Sequence, residues 1–479
     1  MQRHRSYLAA RPWRVLAAVG LLVGLGSGCT GPVAPPPAPR PFAGTTLTVA
    51  CPDPAFAAEL SGRCAAWAAR TGATVKVLPE SPTTAADAAV LRPPELGAFA
   101  VRGELAVLPV ALKDPTHSLQ WGRIAAVYQS VIPAWGGEVV GLPLAGDGFV
   151  LVYRADRLVG KDGRPAAAPA TWEDVAEAAA AHSADGKPAL APLPADSLRL
   201  LALFQHIAAC HDRRGVSDAD RKDAAGGLAL HFNPDTGAAR LEAPAFVAAA
   251  DWLHRTHKFR PPSAGDPVEA LEKGTAAIAV MSLADLARLP KDSGQVAAAY
   301  RVAPLPGTRT FFDTANKPVR AGPAGNFVPF LGFGGQVGVV FKRSPGAAAA
   351  WDLLAELASP PAGLATLNNP ALGAGPYRLE HTEPGVWLGY GFDADRTADL
   401  ARATARYLGV TVSNPVLALR TPDQAELMAA LEAEVRKAAT GQASGAEAMK
   451  RATEAWRKHD TGQNPDELKR WRRNAVGLP

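Results

Sequence analysis

Few stretches of the chain combine reactive side chains, and spacing decides what each can do. Cys210-His211-Asp212 puts a thiol, an imidazole and a carboxylate in consecutive positions. Nucleophilic catalysis needs those groups adjacent in space, so the run carries no triad signal. His254 and His257 stand i, i+3 on a predicted helix. That spacing suits a metal ion, yet no third ligand accompanies it, and the pair reads as surface imidazoles. The sequence holds no His-Glu-x-x-His, no Gly-x-Ser-x-Gly, no phosphate loop and no Cys-x-x-Cys pair. Hydrolysis, phosphoryl transfer and thiolate zinc binding thus lack their motifs, and neither an enzyme nor a metal or cofactor is expected.

Groups that hold a polar ligand without reacting are more plentiful. Asp147 lies between Gly146 and Gly148 after a predicted strand, where backbone can approach a ligand. A turn aspartate satisfying its own loop is the equal alternative. Glu95 follows Pro93-Pro94 at a strand end, and a solvated turn residue is its plainer reading. Gln336 falls in the glycine-rich stretch Gly332–Gly338, and Asp313 follows Phe311-Phe312 in a position that suits a cleft lip. Trp387 and Tyr390 are flanked by glycines outside any clear helical pattern, which makes them the best candidates for stacking on a ligand. Trp67, Trp172, Trp351 and Trp456 sit at core spacing on helices and are packing residues.

These residues need a scaffold, and the periodicity supplies one. Thr46–Cys51 reads as a strand, Ala55–Arg70 as a helix with Phe56, Leu60, Cys64 and Trp67 on one face, and Thr74–Leu78 as the next strand. Strand, helix, parallel strand opens an α/β sheet, whose ligands bind at the strands' carboxyl ends. Further strands are expected at Ala88–Leu91, Gly141–Leu144, Phe149–Tyr153, Ala276–Met281 and Val339–Phe341. Helices are expected from a Thr171/Asp174 capping box onward, and over Ser197–Cys210, Ala245–His257, Pro267–Lys273, Ala347–Leu357, Gln424–Thr440 and Ala446–His459. Cys64 falls roughly 15 Å along its helix from Cys51, beyond the ~7 Å a disulfide allows. Cys51, Cys64 and Cys210 therefore read as buried free thiols.

The 479 residues carry a formal charge of +5, but position decides its meaning. The first 28 residues hold Arg3, Arg5, Arg11 and Arg14 and no acid; removing those four from 50 basic residues leaves 46 against 45 acidic. A body this neutral projects no field for nucleic acid. The arginines precede an apolar run, Val15–Leu25, too short to span a bilayer, and then Gly26-Ser27-Gly28-Cys29. Residues 1–28 read as an export signal. Gly31–Pro41 holds six prolines, and residues 29–43 read as a stiff extended tether. The segment around Cys29 resembles the lipobox of bacterial lipoproteins, although Gly26 stands where that family carries an aliphatic residue. The resemblance implies cleavage before Cys29, a diacylglyceryl group on its thiol, and a protein on the periplasmic or cell-surface side of a membrane.

The body resembles family 1 extracellular solute-binding proteins, the maltose-binding-like receptors of ABC importers. Five stretches in order carry the likeness: Leu47–Leu78; Gly141–Tyr153 running into Arg154-Ala155-Asp156-Arg157-Leu158; Pro169–Ala178; Glu272–Pro306; and Gly334–Pro360. The resemblance implies a two-lobed α/β fold of periplasmic-binding-protein type II with an interlobe cleft and a multi-segment hinge. On that template lobe 1 is residues 44–145 plus 275–325, and lobe 2 is 146–274 plus 326–479, with crossings near 144–148 and 274–325. It further implies a monomer that traps a small polar solute, a sugar above all, and delivers it to ABC permease subunits. The expected ligand set is Gly146, Asp147, Glu95, Gln336, Asp313, Trp387 and Tyr390. Many relatives carry a sugar-stacking Trp after the strand that here ends at Met281; Ser282-Leu283-Ala284-Asp285 has none, which argues against a large oligosaccharide. The alternative is a ligand-free scaffold or sensory lipoprotein on the same fold.

Overall fold

The computed structural model describes residues 40–159, 167–183, 188–217, 228–263, 265–290, 299–408 and 412–479. The signal, Cys29 and most of the tether lie outside the described residues. The folded body, Arg40–Pro479, begins inside the segment expected to be tether. Phe42 stacks on Trp67 with ring centroids 5.6 Å apart, and its amide donates to the Thr71 carbonyl at 3.0 Å. An apolar ring with a partner ends the proline-rich stretch.

Two larger sheets organise the body. Their strands are β1 (Thr46–Ala50), β2 (Thr74–Leu78), β3 (Ala88–Leu91), β4 (Gly141–Ala145), β5 (Phe149–Arg154), β6 (Ile278–Ser282), β7 (Tyr300–Ala303) and β8 (Gln336–Val340). The helices around them are α1 (Pro54–Thr71), α2 (Trp172–His182), α3 (Ser197–Asp212), α4 (Pro244–Thr256), α5 (Ala347–Leu357), α6 (Pro360–Leu367), α7 (Ala394–Tyr407), α8 (Gln424–Ala439), α9 (Gly445–Asp460) and α10 (Pro465–Asn474).

The first sheet has the order β2-β1-β3-β8-β4. β1 is parallel to both β2 and β3, whereas β8 is antiparallel to β3 and β4. β3, β4 and most of β8 are buried, and they read as unbroken apolar runs because helices cover their faces. α1, α5 and α6 pack on this sheet. The second sheet is antiparallel with the order β7-β5-β6, and α7 covers it. α3, α4, α8 and α9 pack on one another into a helical layer. The capping box read from sequence is present: Thr171 Oγ1 accepts the Asp174 amide at 3.1 Å, and the Asp174 carboxylate accepts the Thr171 amide at 2.9 Å. Cys51, Cys64 and Cys210 are free and buried, and burial pushes each thiol up to about 12. Among the described residues no helix is long and apolar enough to cross a membrane.

Sheet membership corrects the expected partition. β6 and β7 lie in 275–325 yet flank β5, while β8, beyond 325, fills the middle of the first sheet. The template strands were recognised, but their pairing is long-range and leaves no local trace. Gly274 is likewise no crossing: the helix Pro267–Glu272 before it packs on β6 after it. The chain passes between the sheets at 146–148, again between β7 and β8, and a third time between α6 and α7.

Candidate functional site

The three crossings are tied together at Asp147. Its carboxylate accepts the amides of Gly332 at 2.6 Å and Gly334 at 2.5 Å, and lies 3.3 Å from the Tyr128 hydroxyl. The Tyr128 oxygen in turn accepts the Asp147 amide at 2.9 Å. Next to it, Gly146 and Gly375 exchange amide–carbonyl bonds of 2.9 and 3.0 Å. A Cβ on Gly375 would stand 1.8 Å from the Asp147 carbonyl oxygen, so only glycine lets the first and third crossings touch. Burial pushes the Asp147 carboxyl up to about 7, against the pull of the Gly332 and Gly334 amides and the Tyr128 hydroxyl. Asp147 and Gly146 were expected to face a ligand. Both are instead spent on the junction, and Asp147 serves a loop almost two hundred residues away rather than its own.

The strand ends of the first sheet hold the polar groups. β1 runs into Cys51-Pro52-Asp53-Pro54, where Asp53 caps α1, its Oδ1 accepting the amides of Ala55 at 2.9 Å and Phe56 at 3.1 Å. Proline at the first helical position needs no such partner, which is why the pattern starts a helix cleanly. Arg92 directly follows β3, and a single 3-10 turn over Pro93–Glu95 brings the Glu95 carboxylate back to it. That carboxylate takes the Arg92 amide at 3.0 Å and the guanidinium at 2.8 and 3.0 Å. Gln336 opens β8 opposite Ala145; it is a strand residue, not the loop residue expected from its glycines. Pro52, Asp53, Val90, Arg92, Glu95 and Gln336 surround a hollow of about 310 Å³. Two carboxylates, a guanidinium and an amide there supply acceptors and donors for a small polar ligand.

Arg92 also lines a second hollow, of about 260 Å³. It is lined further by residues of α3 (Ser197, Leu198, Leu201, Gln205) and α8 (Gln424, Ala425, Met428, Glu432), together with Phe333 and Leu419. The helical layer thus supplies a mixed wall, in which Leu198, Leu201, Ala425, Met428 and Ala429 alternate with Ser197, Gln205, Gln424 and Glu432.

The structure brings two expected site residues, Glu95 and Gln336, to one hollow and places the others elsewhere. Asp313 is an exposed turn residue whose Oδ1 accepts the amides of Ala315 at 2.9 Å and Lys317 at 2.8 Å, closing a hairpin between Thr310–Phe312 and Pro318–Arg320. Trp387 and Tyr390 are fully buried in a 3-10 segment, Pro384–Tyr390, and pack into the core beside Leu400 and Tyr300. Trp387 Nε1 donates to the His381 carbonyl at 3.1 Å. Neither offers a ring to a solute. Cys210, His211 and Asp212 turn to separate partners: the thiol receives the Val328 amide, His211 meets the Thr310 carbonyl, and Asp212 pairs with Arg213 and Arg240. Among the described residues no group of three or more metal-ligating side chains occurs. Sequence reading misses Asp53 and Arg92, although they lie within three residues of the carboxyl ends of parallel strands, and that position is the available signal.

The sequence pattern described as bacterial extracellular solute-binding protein matches residues 66–387. No curated protein matches. Among solved structures, the sugar-binding protein MalE of Xanthomonas citri is 16% identical, covering 88% of this chain and 100% of its own, with a TM-score of 0.64. Maltose-bound MalE3 of T. maritima is 17% identical over 87% of this chain and 100% of its own, at 0.61. A ribitol complex of an ABC transporter solute-binding protein from Agrobacterium radiobacter K84 is 19% identical over 88% and 100%, at 0.60. These likenesses show the two-lobed periplasmic-binding-protein fold. With two thirds of its length inside the family pattern, the chain belongs to the bacterial extracellular solute-binding proteins.

Proposed function

We propose that this protein is an exported, lipid-anchored receptor that captures one small polar solute, a sugar or polyol, between its lobes and hands it to an ABC importer without chemical change. The observation that carries the reading is the hollow at the carboxyl ends of β1 and β3, where Asp53, Arg92, Glu95 and Gln336 converge. The bound sugars and polyol of the maltose and ribitol complexes support the solute class, and the signal followed by Cys29 and a proline tether supports the anchor. The lobes divide by sheet: roughly 40–146 with 336–383 form one, and the remaining body forms the other. Three glycine-rich crossings between them provide the hinge that closure about a ligand requires.

Thermal denaturation with a panel of ribitol, glucose, maltose and amino acids tests this. A bound solute at about a hundred times its Kd stabilises by ~2.7 kcal/mol, a rise of several degrees. Arg92→Ala is expected to abolish that rise while leaving the unliganded midpoint nearly unchanged, because the Arg92 side chain is 51% exposed. If no panel member moves the midpoint, the ligand-free scaffold is the better description.

A further inference from the structure

We infer that the solute is amphipathic: a hydroxylated head held by the polar hollow, joined to an apolar segment lying along α3 and α8. The inference rests on the receptor reading above and concerns the same cleft. Hollows that take chains of sugars need flat aromatic faces, because a sugar ring presents C–H groups that stack on them. Among the described residues lining these two hollows the only aromatic ring is Phe333, which is already packed against Phe330, stacked at 5.5 Å, and Phe149, tilted at 5.2 Å. Trp172, Trp252, Trp387 and Tyr390 are all buried elsewhere.

The second hollow offers an aliphatic patch instead, bordered by polar residues. Leu198 and Met428 are half-buried on facing helices, Leu201 and Leu419 lie behind them, and Ala425 is exposed at the rim. An aliphatic patch left open beside charged groups is costly to leave against water, and a ligand with one end of each kind satisfies both. Two of the polar residues around that patch are satisfied within the protein: the Gln205 amide donates to the Leu201 carbonyl at 3.0 Å and its oxygen meets His231, and Glu432 accepts Arg436 Nε at 2.6 Å, while Ser197 and Gln424 also line the hollow. Arg92 lines both hollows and marks where head and tail of the ligand would join.

Titration calorimetry with methyl and hexyl β-D-glucopyranoside, maltose and maltotriose reads this directly. Burying only two or three added methylenes gives about a 10-fold gain or more, so the hexyl compound is expected to bind at least 10-fold tighter than the methyl compound. Met428→Glu is expected to erase that gain and to leave the methyl glycoside within about twofold. Ala425→Glu, at an exposed rim position, repeats the test should the first variant fold poorly. Equal affinity for both glycosides, a gain that survives both variants, or a preference for maltotriose overturns the inference while leaving the receptor reading intact. No response to either glycoside, with a response to ribitol or maltose, also overturns it alone; silence to every compound overturns both.

Discussion

Asp147 shows what one carboxylate contributes when it is enclosed. Its folded value of about 7 lies above the ordinary 3.8, so the folded protein holds a proton that the unfolded chain releases. Stability from this group is complete below about 4 and declines as pH rises to about 7, at about 1.4 kcal/mol per pH unit within that window. Paired acids such as Asp174 and Glu380, whose values are lowered, act in the opposite direction. The comparison is therefore between wild type and Asp147→Asn, by chemical denaturation from pH 4 to 8. The wild-type curve should fall relative to the variant's across the window. At pH 5 the variant should be weaker by about 1–3 kcal/mol, because its amide turns a donor toward the Gly332 or Gly334 N–H. Parallel curves would mean that the carboxylate is ionised throughout.

Elements were legible where a local rule sets them. The Thr171/Asp174 pair starts α2 as its spacing requires, and Thr171→Ala should lower stability by about 1 kcal/mol in a thermal melt. α1, with Cys64 and Trp67 facing inward, followed from apolar spacing. The failures share a cause: glycine reports what backbone can do, not where it lies. Gly338 suggested a loop, but it sits inside β8, where a Cβ would come 2.7 Å from Leu354 on α5. Its absence of side chain lets helix and sheet close up. Glycines around Trp387 and Tyr390 suggested an exposed loop, but they permit a tight 3-10 segment that buries both rings. Within the site, Glu95 and Gln336 were visible as polar residues at strand ends. Asp53 was hidden by its capping role and Arg92 by its ion pair, since neither resembles a ligand group until the sheet order places them side by side.

At the scale of the whole molecule, sheet order dictates how the body must fold. β8 enters the first sheet between β3 and β4 although nearly two hundred residues separate it from β4. A fragment ending before β8 would leave β3 and β4 with open edges, which template aggregation rather than a stable lobe. The second lobe is no more independent, since α7 returns to its sheet only after α5 and α6 have served the first. Asp147 then fastens two of the crossings, and the Gly146–Gly375 pairing fastens the third. Residues 40–330 alone are therefore expected to yield insoluble or unfolded material. The full chain should unfold in one transition, with far-ultraviolet circular dichroism and tryptophan fluorescence tracing the same urea midpoint. Two resolved midpoints would mean that each lobe stands without the other and that the knot at the crossings carries little of the cooperativity.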